Sequence, residues 1–184
     1  MQQPLLILPL LAFLVLLVLF FLVLRRAGRF IAATRDVERF RRQVGDLASR
    51  VETSLGEICS RVDAVRRGSL GADQLADDLA ASLDAVGQYE EEANGLHPPA
   101  DGKAIRDAII AELARAARAL EMIEHGRGIQ ASARSGGREI EAQTAIKRGY
   151  LNVLHAREAI AHQAKVARDL SGADDASRFQ RRNA

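Results

Sequence analysis

The chain is poor in the residues on which most chemistry is built. Its 184 residues include one cysteine, Cys59, which excludes an intramolecular disulfide and a multi-cysteine zinc site and fits a reducing compartment. Cys59 flanks Ile58 and Val62 on an apolar seam and reads as a small core residue. Four histidines are present, His97, His125, His155 and His162. The positions three before them are Asn94, Met122, Asn152 and Ala159, so the Glu-x-x-His pairs of a di-iron bundle are missing. No phosphate-binding GxxxxGK[ST], GxSxG or HExxH stretch occurs. Glu90, Glu91 and Glu92 are consecutive, and their carboxylates point around a helix instead of converging on a substrate. An enzyme is not expected, and neither is a metal or cofactor. No run alternates apolar and polar residues with β-branched enrichment, so no strand is expected.

One long apolar run is present. Residues 4–24 read PLLILPLLAFLVLLVLFFLVL, 21 residues without an ionisable side chain, which as a helix would cover roughly 30 Å, the thickness of a bilayer core. A cleaved signal peptide is the rival reading. It calls for a basic stretch before the run and a small-residue cleavage site after it, whereas MQQ precedes and RRAGR follows. The run therefore predicts a single transmembrane anchor behind a short extracytoplasmic N-terminus, 1–3. No Lys or Arg precedes it, while Arg25, Arg26, Arg29, Arg35, Arg39, Arg41 and Arg42 follow within 20 residues. That asymmetry places the N-terminus outside and residues 25–184 in the cytoplasm. Arg25, Arg26 and Arg29 are expected at the lipid headgroups, where each gains about 1 kcal/mol against an anionic leaflet. Pro9 removes one backbone hydrogen bond from the span without implying a function.

Beyond the anchor the apolar period is close to 3.5 residues. Phe30, Ala33, Val37, Phe40, Val44, Leu47, Val51, Leu55, Ile58, Val62 and Val65 fall on one stripe and predict a coiled-coil-like first helix, 30–67. It either continues the anchor as one rod or hinges at Gly28. A second helix, 72–94, carries Leu75, Leu79, Leu83, Val86, Tyr89 and Ala93. The loop GLHPPADG stops it, and Asp101 is a suitable cap for a third helix, 101–125, with Ile105, Ile109, Leu113, Ala116, Leu120 and Ile123 inward. HGRGIQASARSGGR reads as a flexible connector. A fourth helix, 138–170, follows, with Ile146, Tyr150, Val153, Leu154, Ile160, Ala164 and Ala167 inward. Residues 172–184 have no period and read as a disordered tail.

The expected architecture is all-α: a transmembrane helix, 4–24, a basic juxtamembrane region with the first helix, 25–67, and the rest of an up-and-down four-helix bundle, 68–171. Self-association of two anchored chains through the first helix competes with its packing inside one bundle, and the single bundle is the arrangement favoured here.

Charge is sorted along the chain. Residues 68–100 have no Lys or Arg but seven acids, Asp73, Asp77, Asp78, Asp84, Glu90, Glu91 and Glu92. Residues 25–67 and 127–184 each carry eleven basic against six acidic side chains. The acids form either a docking face for a basic partner or a complement to the first and fourth helices, on which the second helix is expected to lie. Arg178, Phe179, Arg181 and Arg182 in the tail are too sparse for nucleic acid, which is not expected as a partner.

His155 and His162 are seven residues apart and share the face of the fourth helix opposite Tyr150 and Val153, so they are expected in water. LHAREAIAH lacks the acidic or Lys-Gly neighbours of a phosphohistidine. Arg157 is the exception to the pattern, an inward charge among Val153, Leu154 and Ile160. It either reaches the rim, pairs with an acid of a neighbouring helix, or binds an anion in the core.

The sequence thus describes a single-pass protein anchored in the cell membrane and acting by protein contact on the cytoplasmic side, as a scaffold, tether or assembly factor. Its expected partners are the bilayer, an unidentified protein and, in the competing arrangement, a second copy. The alternative is a membrane-anchored signalling or ligand-sensing bundle that uses His155, His162 or Arg157.

Overall fold

The 3.5-residue seam finds its partners within its own chain. In a computed structural model, which describes residues 4–132 and 137–170, every described residue in an extended secondary-structure element is helical. The four helices are α1 (Pro4–Arg66), α2 (Ala76–Gly95), α3 (Lys103–Ser132) and α4 (Glu139–Asp169), with single 3-10 turns at Ala72–Leu75 and Ala100–Gly102. The side chains of residues 4–12, 15, 23–33 and 132 also fall outside the described set. Residues 1–3, the expected disordered tail at 172–184, the headgroup residues Arg25, Arg26 and Arg29, and the seam positions Phe30 and Ala33 are therefore wholly or in their side chains outside it.

Of the two alternatives at Gly28, the continuous rod is found: α1 is one helix of 63 residues, about 95 Å long at 1.5 Å per residue. Among the described residues no helix is long and apolar enough to cross a membrane. Twelve of the 21 positions of the expected span have side chains outside the described set. The other nine, Phe13, Leu14 and Leu16 to Leu22, are all between 51% and 65% exposed. Further along the same helix, Phe40, Val44, Leu47, Val51, Leu55, Ile58 and Val62 are buried, and Val37 and Val65 are half-buried.

A chain reversal ends α1. Gly68 has φ +74°, a conformation open to glycine without strain. Its N–H donates to the Val65 carbonyl and that of Ser69 to the Ala64 carbonyl, both at 3.0 Å, which is a Schellman closure. The second reversal, at Leu96 to Gly102, is packed against Phe40. A Cβ on Gly102 would lie 2.9 Å from Phe40 Cε1 and 2.9 Å from Pro99 Cδ, so the ring leaves room only for glycine. The Gly102 N–H donates to the Pro99 carbonyl at 2.9 Å. At the same end, Arg41 Nη2 donates to the Leu170 carbonyl just past α4, where a cation complements a helix C-terminus.

The helices pack in a closed ring, α1 on α2, α2 on α3, α3 on α4 and α4 on α1, as in an up-and-down bundle. The second helix thus lies against α1 and α3, which corrects the expectation that it would lie against the first and fourth. Short reversals force successive helices to be neighbours, and the ring is closed by α4 meeting α1.

The expected connector after residue 125 is also corrected, because α3 continues to Ser132. Gly126 is buried in the α3–α4 seam. A Cβ there would lie 2.8 Å from Ile146 Cγ1 and 2.9 Å from the Ala142 carbonyl oxygen. Gly149 of α4 faces back, with an added Cβ 2.5 Å from Ile123 Cγ1 and 2.7 Å from the Ala119 carbonyl oxygen. These glycines, with Ala116, Ala119, Ala142 and Ala156 buried along the two helices, bring the backbones close and offset the lower helix propensity of glycine with packing.

Candidate interaction surfaces

Seven acids on or beside α2 face three different surroundings. Asp78 pairs with Arg61, and Glu92 Oε1 lies 2.5 Å from Arg50 Nη2. Both partners are on α1, so these acids complement the neighbouring helix. The Glu92 carboxylate holds the Arg50 guanidinium pKa above its ordinary value, chiefly through that hydrogen bond, and the guanidinium also lies 5.6 Å from the centre of the Tyr89 ring. Asp73, in the 3-10 turn before α2, acts electrostatically on Arg127 of α3. Asp77, Asp84, Glu90 and Glu91 have no ion pair among the described residues. Asp77, Asp84 and Glu91 are exposed and Glu90 is half-exposed. Because Asp77, Asp84 and Glu91 repeat every seven residues, they share one outer stripe.

Arg157 takes the second of its three expected positions. Its side chain is 25% exposed, and Nε lies 3.6 Å from Glu52 Oε1 on α1. No charged residue is fully buried among the described residues. At a half-exposed site such a pair contributes at most about 1 kcal/mol. Cys59 is buried nearby. Burial pushes its thiol pKa up to about 11, and Arg157 opposes that shift only in part.

His97, His125, His155 and His162 are all exposed. Among the described residues no three His, Cys, Asp or Glu side chains come together as a metal site. Ile140, at 79%, and Leu151, at 52%, are exposed on the outer face of α4.

Two of the concavities among the described residues lie against α1. One of about 450 Å³ flanks α1 at Thr34, Arg35, Glu38, Arg39, Arg42 and Gln43. The other, of about 260 Å³, lies where α1 ends against α3 and α4. Sequence reasoning missed the second because its α3 residue, Gln130, sits in the stretch read as a connector. Regular spacing of Ile123, Gly126 and Gln130 is the signal that was available. No family model, curated protein or solved structure matches the chain.

Proposed function

We propose that the protein is a single-pass membrane-anchored scaffold or assembly factor, with its N-terminus outside and its four-helix bundle in the cytoplasm, acting through protein contact. The observation that carries the reading is the change of surroundings along α1. Its first third is apolar and, wherever described, exposed, while its last third is the buried wall of a bundle. A soluble monomer rarely leaves so continuous an apolar surface in water, and residues 4–24 match a bilayer core in length.

Arg25, Arg26 and Arg29 then stand at the cytoplasmic headgroups. Fifteen helical residues, 25–39, separate the end of the span from Phe40, which puts the bundle about 22 Å beyond the hydrocarbon edge. A continuous helix makes the spacing stiff. The seam of α1 is buried in its own bundle, so self-association through it would require α2 and α4 to leave.

The partner surface we favour is the outer stripe of α2, Asp77, Asp84 and Glu91, facing a basic protein. Crosslinking and mass spectrometry of the full-length protein in native membranes, against an anchor-only control, tests the proposal. One protein recovered through α2, and lost with Asp77→Asn, Asp84→Asn and Glu91→Gln combined, supports it. Recovery of self-crosslinks through α1 alone contradicts it and makes the protein a homo-oligomer.

A further inference from the structure

The last helix fixes where the rest of the chain leaves the bundle. Leu170 packs half-buried against the core, and its carbonyl accepts from Arg41 Nη2 of α1. Its ψ of 109° turns the backbone out of the helix. Phe40, next to Arg41, packs at Gly102 of the α2–α3 reversal, so this exit is at the anchor end of the bundle. The chain continues as SGADDASRFQRRNA, residues 171–184, with Asp174 and Asp175 followed by Arg178, Phe179, Arg181 and Arg182.

Reach sorts these charges. Arg41 is 17 residues past Leu24, about 26 Å along α1. The headgroup layer of a leaflet is about 6 Å thick, so it begins about 20 Å from the exit. At no more than about 3.6 Å per residue, Asp175 reaches about 18 Å and falls short of it. Arg178 reaches about 28 Å and Arg182 about 42 Å, and a tilted rod only narrows the gap. The two acids come level instead with residues 34–43 of α1, where four arginines stand against Asp36 and Glu38. Of these, Arg35 is exposed and has no ion pair or hydrogen bond among the described residues. That cationic flank attracts Asp174 and Asp175 and repels Arg178, Arg181 and Arg182, which are left with the leaflet.

We propose that Arg178, Phe179, Arg181 and Arg182 dock on the anionic cytoplasmic leaflet and give the bundle a second membrane attachment. The inference rests on the anchored reading and deepens it. Three arginines near an anionic surface, each worth roughly fivefold, raise the ratio of docked to free segment roughly a hundredfold. Phe179 supplies the apolar side chain that enters the boundary between headgroups and acyl chains. Because α4 is diagonal to α2 in the ring, a bundle drawn down on its α4 side leaves the outer stripe of α2 clear of the membrane.

The test uses full-length protein carrying Cys59→Ala and Gln180→Cys, with a polarity-sensitive fluorophore on the new thiol. It is placed in lipid nanodiscs of phosphatidylcholine alone or mixed with phosphatidylserine. In the mixed discs the label is expected to shift to the blue and to be shielded from acrylamide, an uncharged quencher. Both effects should be absent in phosphatidylcholine alone and reversed by salt, which screens the contact. Arg178→Gln, Arg181→Gln and Arg182→Gln combined should lower the docked-to-free ratio at least about tenfold and leave the thermal unfolding temperature unchanged. Co-elution of the protein with the discs reads the anchor separately. A protein that stays with the discs while its label is quenched equally in both kinds overturns this inference and leaves the anchor standing, whereas one that leaves the discs overturns both. Shielding that is equal in the two kinds of disc, or that survives the three substitutions, puts the segment on the protein itself and also overturns the proposal.

Discussion

Replacing Gly149 with alanine sets two effects against each other with opposite signs. In a helix interior the change should stabilise by about 1 kcal/mol from propensity alone. Here the new methyl would stand 2.5 Å from Ile123 Cγ1, 2.7 Å from the Ala119 carbonyl oxygen and 3.2 Å from the Ile123 backbone nitrogen. Ordinary carbon contacts lie at about 3.5–4.0 Å, so α4 must retreat from α3 by nearly 1 Å. The Ile123 side chain can turn aside, but the two backbone atoms cannot. Overpacking of this kind costs about 3 kcal/mol at the upper end of its range, and the net loss is about 2 kcal/mol after the propensity gain. For a chain of this length the unfolding temperature falls by about 5 °C. Cys59 supplies the assay. It is 5% exposed and the only thiol, so its labelling on heating reports bundle opening without interference from the apolar end of α1. Gly87→Ala is the control, because nothing lies within 4 Å of the new methyl; it should raise the transition by about 2 °C. A Gly149→Ala protein as stable as the wild type would refute the close α3–α4 approach.

Three further outcomes follow from the same geometry. The raised Cys59 pKa, about 11 against an ordinary 9.0, means that the unfolded chain releases the thiol proton first. Stability from this group is whole below pH 9 and lost as pH rises toward 11, by up to about 2–3 kcal/mol. Cys59→Ala should therefore flatten that alkaline limb in denaturant titrations, and an equally steep limb would refute the assignment. Arg157→Met should change stability by less than about 1 kcal/mol because the Glu52 pair is half-exposed; a loss of several kcal/mol would show a pair more buried than described. Asp77→Asn, Asp84→Asn and Glu91→Gln together should leave the melting temperature within about 2 °C of wild type while abolishing partner crosslinks, and a large fall in stability would mean that the stripe is structural.

How much was legible in the sequence differs from element to element. The seam from Phe40 to Val62 could be read because one helix face must be apolar along its whole length, and that leaves a period. The inward set of α3, from Ile105 to Ile123, was legible for the same reason. The end of α3 is not legible, because Gly126 and Gly128 have the sequence signature of helix breakers. Gly126 is instead a packing residue, and the small residues Ala119, Ala142 and Ala145 around the seam were the available sign. Neighbour order is out of reach of periodicity, which cannot tell whether α3 or α4 joins α1 as the neighbour of α2. Charge suggested that its acids complement basic helices, but only the fold singles out Asp78 and Glu92 for that role and frees Asp77, Asp84 and Glu91. The inward position of Arg157 was legible from its helix, whereas Glu52 as its partner depends on α4 meeting α1. The concavity at the end of α1 could not be read, since it is made by the difference in length between α1 and the α3–α4 pair.

Sided thiol labelling tests the central claim most directly. In a Cys59→Ala background, Gln2→Cys and Gly87→Cys are exposed separately to a membrane-impermeant maleimide in intact cells and then in opened ones. An anchored protein with its bundle inside labels at Gln2→Cys in intact cells, labels at Gly87→Cys only after opening, and stays in the membrane fraction at alkaline pH. Release into the soluble fraction, or labelling of Gly87→Cys from outside, would contradict the account.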